Sequence, residues 1–512
     1  MLLTRFLEDS ARRSPDAPAL LEPSRQINYG ALDREANRFA NLFLRSGVTR
    51  GDRVAIALDN GIEMVAAYFG ALKAGAVAVP LAGGPRSDRL VHAVANCTPR
   101  AAVVDAAAAK ALPASVKGAV PHVFVHGARH AGGSSVLADA LAECSDAPVT
   151  VRGIDLDLAA IVYTSGSTGE PRGVMLTHRN LVANARSIVS YLRLTSRDCV
   201  ICVLPFHYVY GLSLLHTHMA VGGSVSVENR SAYPNVVLDS MQQHQVTGFA
   251  GVPSTFTLML HRSNIEEAHL PHLRYATVAG GALAPSRVRE WMERGPGGEF
   301  FVMYGATEAG ARLAYLPPAD LPRKLGSIGR AIPNVEILVV TESGERAGVG
   351  EIGELVARGS NMSCGYWNNA EETALRFGPL GYRTGDLGYA DADGFLYLVG
   401  RKHDMIKVGA HRVGLKEIED VLHAHPTVYE AAVVGAPHEL LGEAPVAFVV
   451  LKAPMVDPQT VLRGFCAAQL PPHKVPLKMI VRTELPRLPG SGKLDRAPLR
   501  SLAADMRFEM VP

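Results

Sequence analysis

Glycines and hydroxyl side chains dominate residues 163–174, which follow a short apolar run at 158–162. Small residues let backbone N–H groups approach a polyphosphate closely, and Ser and Thr hydroxyls supply further hydrogen-bond donors. The spacing is not that of the P-loop, because Gly173 is followed by Val174 and not by Lys and Ser or Thr. The pattern predicts a mobile loop that binds phosphate, with a flexible surface turn as the alternative.

Three later segments combine glycine with side chains that suit nucleotide or metal binding: residues 280–283, 304–308 and 382–387. The carboxylate of Glu308 is the kind of hard oxygen ligand that Mg²⁺ prefers. Taken singly, Glu308 is more simply explained as a solvated or capping acid, and the Thr-Gly-Asp ending at Asp386 as a tight turn. The functional interpretation therefore depends on the segments occurring together and in order.

In this order the segments resemble the signature motifs of the acyl-adenylating superfamily, which includes acyl-CoA synthetases, nonribosomal adenylation domains and luciferases. The resemblance extends over nearly the whole chain, from residues 27–32 and 72–76 to Lys493. Arg172 stands where that family usually has Lys. The positive charge is kept, but Arg presents a planar, bidentate group to phosphate.

The resemblance implies a role for each motif in binding ATP and Mg²⁺. Tyr304 would stack on the adenine, and Thr307 would contact phosphate. Glu308 would hold Mg²⁺, Asp386 would hydrogen-bond the ribose hydroxyls, and Arg401 would reach the ribose or phosphate. The implied nucleotide-binding residues are Thr164, Ser165, Gly166, Ser167, Thr168, Gly169, Gly281, Ala282, Tyr304, Gly305, Asp386 and Arg401, and the implied catalytic residues are Arg172, Thr307, Glu308 and Lys493.

The C-terminal motifs resemble two segments that, in this family, occupy the active site in turn. One is present during adenylation and the other during thioester formation. Lys493 would meet the charge that develops on the α-phosphate. Residues 404–413 look like the loop that enters the site for thioester formation, with Lys407 in the loop and Gly409 on the pantetheine path. His403 stands at the implied hinge, where family members usually carry Asp or Lys.

Residues 204–212 resemble the helix start that lines the acyl pocket, and they make His207, Tyr208 and Gly211, with Gly280, the candidate pocket residues. Amino-acid-activating relatives usually place an Asp here to pair with the α-ammonium, so this chain disfavours an ordinary α-amino acid. The alternative for His207 is a packed, hydrogen-bonded core histidine. Glu228 is interpreted as a solvated turn residue rather than a site for an amine.

The elements that position these motifs follow from the hydrophobic pattern. Up to about residue 400, short Val-, Ile- and Ala-rich runs alternate with longer amphipathic segments, which predicts an α/β fold with parallel sheets. Strands separated by turn signals predict a small β subdomain between about 333 and 397. The tail predicts helices near 416–425 and 461–470 and strands at 431–434 and 446–451.

The predicted fold class is therefore α/β, with two domains. The N-terminal AMP-binding domain (1–400) would contain two α/β subdomains plus the small β subdomain. A small, mobile α+β lid domain (401–512) would follow it.

The composition excludes several classes of protein. Lys and Arg (51) nearly balance Asp and Glu (49), which argues against nucleic acid as a partner. The six cysteines lie among apolar neighbours, which predicts reduced, buried thiols, and the Cys199–Cys202 pair suits a packed strand better than a metal site. Charges in the first ten residues disfavour a signal peptide, and no apolar run reaches the length of a membrane span. These features predict a cytoplasmic protein.

Together the observations predict an ATP-dependent acid–thiol ligase. A carboxylic acid would be adenylated with release of pyrophosphate, and the acyl group would pass to the phosphopantetheine thiol of CoA or of an acyl- or peptidyl-carrier protein. No Gly-Gly-x-Ser segment follows Lys493 before Pro512, so a carrier is expected to be a separate chain. The alternatives are a stand-alone amino-acid-type adenylation enzyme, a non-catalytic nucleotide-binding homologue and a light-emitting oxygenase.

Overall fold

The computed structural model describes residues 1–84, 87–127, 135–164, 171–402, 404–487 and 494–506. The elements up to residue 192 are α1 Arg5–Arg13, β1 Pro18–Leu21, β2 Gln26–Asn28, α2 Tyr29–Arg45, β3 Arg53–Ala57, α3 Ile62–Lys73, β4 Val77–Leu81, α4 Ser87–Cys97, β5 Ala101–Asp105, α5 Ala106–Ala111, α6 Ala114–Ala119, β6 His122–His126, β7 Ser135–Val136, α7 Leu137–Ala142, β8 Leu158–Thr164, β9 Arg172–Thr177 and α8 His178–Leu192.

The elements that follow, up to residue 401, are β10 Cys199–Cys202, α9 Val209–Val221, β11 Ser224–Val227, α10 Pro234–Gln243, β12 Gly248–Gly251, α11 Pro253–Arg262, β13 Tyr275–Val278, α12 Pro285–Arg294, β14 Glu299–Tyr304, β15 Ala314–Leu316, β16 Ser327–Ala331, β17 Val335–Val340, β18 Gly353–Gly359, α13 Ala370–Arg376, β19 Phe377–Gly378, β20 Gly381–Ala390 and β21 Leu396–Arg401. The last elements are β22 Ile406–Val408, β23 His411–Val413, α14 Leu415–Ala424, β24 Val428–His438, β25 Gly442–Leu451, α15 Pro458–Ala467, β26 Lys478–Arg482 and α16 Ala497–Ala504.

The first sheet has the strand order β7-β6-β5-β3-β4-β8-β9, and its strands are parallel except for the pair β8 and β9. Strands β3, β4 and β5 are runs of Val, Ile and Ala that are buried almost throughout. Such runs suit a parallel sheet because helices cover both of its faces. This part of the α/β prediction is confirmed.

The second sheet has the order β17-β18-β20-β21-β16-β15-β14-β13-β12-β10-β11-β1-β2, with β19 paired to β20. From β1 to β14 the neighbouring strands are parallel, and β2 and the strands from β15 onward are antiparallel. The small β subdomain expected between 333 and 397 forms as these later strands. It is continuous with the second sheet, because β16 pairs with both β15 and β21.

The third sheet has the order β23-β22-β25-β24, with β26 parallel to β25. The α+β character of the tail is confirmed, and its strands are longer than the sequence predicts because β24 and β25 pair as a hairpin from Val428↔Leu451 to His438↔Gly442. Strand β21 ends at Arg401 and this sheet begins at Ile406. The domain division at residue 400 stays a prediction.

The largest buried cluster joins α2, α3, α8 and α9 to the second sheet. Two sequence expectations about burial are wrong. Cys364 is exposed, whereas the other five cysteines are buried as expected. Glu228 is 1% exposed rather than solvated, because Arg230 and Ser240 both bind its carboxylate. Among the described residues, no helix is both long and apolar enough to cross a membrane.

Candidate active site

The candidate site lies at one edge of the second sheet. Strands β10, β12, β13 and β14 are parallel, so their carboxyl ends meet at that edge. The predicted motifs follow directly: residues 204–208 after β10, residues 280–282 after β13 and residues 305–308 after β14. Crevices at the carboxyl ends of strands are where α/β proteins bind ligands.

The turn after β14 needs glycine at its first position. A Cβ on Gly305 would lie 1.7 Å from the Ala311 carbonyl oxygen, so no larger residue fits there. Thr307 and Glu308 follow in a single 3₁₀ turn that ends at Gly310, with φ +65°. Ala311 has φ +140°, a conformation that is rare for alanine and clusters at functional sites.

Glu308 is held by a tyrosine that the sequence analysis did not select. Tyr366 Oη donates a hydrogen bond of 2.7 Å to Glu308 Oε1. Burial raises the pKa of Tyr366, so the phenol stays a donor at neutral pH. The Glu308 backbone carbonyl also accepts a hydrogen bond of 2.7 Å from Ser363 N–H. Both contacts come from the segment between β18 and α13.

The same segment reaches Arg172, at the end of the predicted phosphate loop. Arg172 Cζ lies 5.8 Å from the centroid of the Tyr366 ring, and its Nη1 donates to Glu372 Oε1 at 2.7 Å. Thr164 and Arg172 pair across β8 and β9, so the two ends of the loop lie side by side. Tyr366 therefore links the phosphate loop to the predicted metal ligand. Residues Ser165, Gly166, Ser167, Thr168 and Gly169 lie outside the described residues.

Tyr304 and Asp386 form the next part of the site. Tyr304 Oη donates a hydrogen bond of 2.6 Å to Asp386 Oδ2, and Arg401 Nε lies 3.2 Å from Asp386 Oδ1. Burial raises the pKa of Tyr304, which keeps its hydroxyl protonated. The structure thus brings three predicted nucleotide-binding residues together, although they are far apart in the sequence.

The glycine segment after β13 is open to solvent. Gly280, Gly281 and Ala282 are exposed, and Gly280 has φ +85°, a conformation that glycine adopts without strain. A Cβ on Gly281 would come within 3.3 Å of Pro253, the first residue of α11. The segment therefore presents backbone rather than side chains to the crevice.

Glu308 and Thr307 fit a magnesium ion that is held mainly by its nucleotide. Among the described residues, no group of three or more His, Cys, Asp or Glu side chains forms a metal cluster. Mg²⁺ usually keeps several waters and binds through one or two carboxylates plus substrate phosphates. The carboxylate of Glu308 with the neighbouring hydroxyl of Thr307 matches this mode of Mg²⁺ binding.

The predicted acyl-pocket residues lie at the start of α9. The rings of His207 and Tyr208 are 4.4 Å apart between centroids, and burial lowers the pKa of His207 to about 4. His207 is therefore neutral at pH 7. Gly211 is buried, and a Cβ there would lie 2.3 Å from the Pro205 carbonyl oxygen. Its role in the structure is to let α9 approach the end of β10.

The predicted thioester loop forms an exposed hairpin of the small domain. Lys407 and Gly409 lie in the hairpin of β22 and β23, with the Lys407 side chain and Gly409 both exposed. Gly409 has φ +59° and its N–H donates to Leu441 O, within the small domain. His403 and Lys493 lie outside the described residues.

Similarity to known proteins agrees with this geometry. The family model of AMP-binding enzymes matches residues 7–367, and that of the AMP-binding enzyme C-terminal domain matches residues 417–493. The chain is 31% identical to indoleacetate–CoA ligase of Aromatoleum aromaticum over 515 residues, covering 99% of each chain.

Two solved structures have the same fold over almost the whole length. An anthranilate CoA ligase in complex with anthranoyl-AMP superposes with a TM-score of 0.91 at 26% identity, covering 98% of this chain and 97% of that one. ATP-bound MatB from Rhodopseudomonas palustris superposes with a TM-score of 0.89 at 31% identity, covering 99% of both. The chain therefore belongs to the AMP-binding enzyme family, as an AMP-forming acyl-CoA ligase.

Proposed function

We propose that this enzyme activates a carboxylic acid as acyl-AMP at the carboxyl edge of the second sheet and then passes the acyl group to a thiol. One observation carries the proposal. Tyr304, Asp386 and Arg401 form one hydrogen-bonded group, and Tyr366 connects Glu308 to Arg172 beside it. Two carboxylates and a cation, to which the proposal assigns the ribose, the metal and the phosphate, are thus held close together.

In the first half-reaction a carboxylate oxygen of the substrate attacks the α-phosphorus of ATP. The bond from that phosphorus to the bridging oxygen breaks, and pyrophosphate leaves with the electron pair. The chain supplies positioning and positive charge rather than a nucleophile. In the proposal Asp386 binds the ribose, Thr307 contacts phosphate, and Arg172 and Lys493 stabilise the developing charge. Mg²⁺, when bound at Glu308, neutralises charge on the phosphate oxygens.

In the second half-reaction a thiol sulfur attacks the acyl carbon of acyl-AMP, and AMP leaves as the thiol loses its proton. The hairpin that carries Lys407 and Gly409 is exposed, and Gly409 N–H is bonded to Leu441 O of the small domain. In the proposal the small domain turns about the junction near His403 to bring this hairpin to the adenylate. We propose that this turn exchanges Lys493 for the hairpin.

CoA is the acceptor that the named relatives support. The relative cited above is a CoA ligase acting on indoleacetate, and one of the solved structures is an anthranilate CoA ligase. A separate carrier protein uses the same phosphopantetheine thiol and stays an alternative acceptor. The five buried, unpaired cysteines fit a reducing compartment, so the proposal places the enzyme in the cytoplasm.

The proposal is tested by carboxylate-dependent exchange of labelled pyrophosphate into ATP, across fatty, aryl and amino acids. We expect exchange with one class of carboxylic acid, and poor exchange with α-amino acids because His207 supplies no anion for an ammonium. ATP binding without exchange for any acid would instead indicate a non-catalytic nucleotide-binding protein.

The role of Lys493 is tested by measuring the two half-reactions separately. Lys493→Ala should abolish acyl-AMP formation, because the α-phosphate loses its cation, while thioester formation from supplied acyl-AMP continues. Equal loss of both half-reactions would contradict the role given to Lys493.

A further inference from the structure

Helix α4 contacts both ends of the predicted phosphate loop, although none of the sequence motifs lies on this helix. His92 and Asn96 are four residues apart, so they share one face of α4. His92 contacts Pro171, where the loop returns to β9, and Asn96 contacts Tyr163, on the strand that leads into the loop. One helix face therefore touches both strands that carry the loop.

The contact of His92 is made with the backbone directly before Arg172. His92 Nε2 lies 3.1 Å from Pro171 O. A carbonyl oxygen only accepts hydrogen bonds, so Nε2 carries a proton and donates it. The carbonyl of Pro171 and the N–H of Arg172 belong to one planar peptide group. The hydrogen bond from His92 therefore fixes the orientation of the peptide group from which Arg172 extends.

Tyr163 joins the other strand of the loop to the same helix face. Its Oη donates a hydrogen bond of 2.6 Å to Asn96 Oδ1, and its ring stands edge to face with that of His92, 6.4 Å apart between centroids. Burial raises the pKa of Tyr163, so the phenol stays a donor at neutral pH. A Cβ on Gly173, its partner across β9, would lie 3.2 Å from Tyr163 Cζ. The ring thus occupies space that a side chain at position 173 would fill.

The carboxyl end of α4 is bonded to the segment that holds Glu308. Trp367 Nε1 and Asn368 Nδ2 donate to Asn96 O at 3.3 Å and 3.1 Å. Carbonyls in the last turn of a helix have no partner within the helix, so these bonds satisfy one of them. Tyr366, whose hydroxyl binds Glu308, directly precedes Trp367. Helix α4 is therefore bonded both to the backbone before the phosphate cation and to the segment that orients the carboxylate assigned to Mg²⁺.

We propose that His92 is a positioning residue for adenylation and that it acts through Arg172. This inference rests on the proposed function, in which Arg172 stabilises charge on the phosphates of ATP. By fixing the peptide group before Arg172, His92 keeps the guanidinium in its place beside Tyr366 and Glu372. A charge that is already in place needs no reorganisation when the phosphoryl charge develops, and this lowers the barrier.

The first test removes the hydrogen bond and measures the two half-reactions separately. His92→Leu deletes the donor, and kcat/KM for ATP in pyrophosphate exchange should fall about tenfold. His92→Gln keeps an N–H donor and should retain most of the wild-type value. The KM for the carboxylic acid and the rate of thioester formation from supplied acyl-AMP should stay unchanged in both variants. Loss of folding would lower every one of these values, and thermal unfolding checks for it directly.

The second test asks whether His92 acts through Arg172, by means of a double-mutant cycle. Arg172→Met removes the cation that His92 positions. In that background His92→Leu should cause no further loss of kcat/KM for ATP, because residues that act as one unit give non-additive effects. Losses that multiply in the double variant would overturn the action of His92 through Arg172.

His122→Leu is the matched control, because it makes the same change on β6, which is separated from β8 by β5, β3 and β4 in the same sheet. It should keep the wild-type kcat/KM for ATP. An unchanged kcat/KM for ATP in His92→Leu would overturn the inference, and so would an equal loss in both half-reactions. No pyrophosphate exchange by the wild-type enzyme with any acid would overturn the proposed function itself.

Discussion

At the scale of single residues, the position of Glu308 depends on Tyr366. The Tyr366 hydroxyl binds one carboxylate oxygen of Glu308, and its ring lies beside the Arg172 guanidinium. The carboxylate is therefore oriented before any nucleotide arrives. The carboxylate of Glu308 would be the group that holds Mg²⁺.

Tyr366→Phe should weaken the use of Mg²⁺ while leaving the ring contact with Arg172 in place. We expect the Mg²⁺ concentration for half-maximal pyrophosphate release to rise about tenfold, because the lost hydrogen bond is made to a charged group. A Mg²⁺ titration measures this, with Tyr233→Phe as the control because Tyr233 is 65% exposed. An unchanged Mg²⁺ requirement would contradict the orienting role.

Tyr304, Glu308 and Asp386 could be predicted as site residues from the sequence, because each lies in a short motif that resembles one of the family's. The sequence did not identify Tyr366 or Glu372. Tyr366 acts on Glu308 from 58 positions away, and that pairing exists only because β9 and the segment after β18 meet in the fold.

At the scale of elements, α9 is unusual because two histidines are buried along it. His216 Nε2 lies 3.0 Å from Tyr68 Oη on α3, and His218 Nδ1 lies 2.9 Å from Leu214 O. Burial lowers the pKa of His216 from 6.5 to about 3 and that of His218 to about 4. Both are neutral in the folded protein at pH 7, and protonation of His216 would force charge into the interface of α3 and α9.

This burial predicts that acid destabilises the large domain well above the pKa of its carboxylates. Below pH 6.5 the unfolded chain binds a proton at His216 and the folded chain does not. The free energy of unfolding therefore falls as the pH falls. The loss from His216 alone reaches about 2 kcal/mol at pH 5. Urea unfolding at pH 7 and pH 5 should show a smaller loss for His216→Gln than for wild type, whereas His269→Gln, at an exposed position, should match wild type. Equal losses in all three proteins would refute the assignment.

Helices and strands were predictable from the sequence where the hydrophobic pattern was strong. The Val- and Ile-rich run at 335–340 and the helix near 416–425 form as expected, at Val335–Val340 and Leu415–Ala424. Strand lengths in the tail were underestimated, because the ends of β24 and β25 are stabilised by each other rather than by their own apolar residues. Local periodicity cannot report such pairing.

At the scale of the whole molecule, one arginine of α12 donates two hydrogen bonds to the small domain. Arg287 Nη2 donates to Val428 O at 2.8 Å and to Tyr429 O at 3.1 Å, both on β24. Glu290, also on α12, accepts from Arg287 Nη1, and Ser286 Oγ donates to His423 O on α14. These bonds hold the small domain against α12.

Arg287→Ala should release this docking, because it removes two hydrogen bonds between the domains and leaves buried carbonyls unpaired. We expect the docked population to fall by about tenfold. Fluorescence energy transfer between one dye on each domain reports the change. Arg289→Ala, on the exposed face of the same helix, should leave the energy transfer unchanged. Identical transfer in Arg287→Ala and wild type would mean that other contacts set the orientation.

The most direct test of adenylation follows the oxygen atoms of the acid. The preferred acid is labelled with ¹⁸O in its carboxylate and turned over with ATP, Mg²⁺ and CoA, and the products are analysed by mass spectrometry. Attack on the α-phosphorus predicts one ¹⁸O atom in AMP and none in pyrophosphate. Labelled inorganic phosphate together with ADP would show attack on the γ-phosphorus, and would contradict an acyl-AMP intermediate at the Tyr304, Glu308 and Asp386 edge.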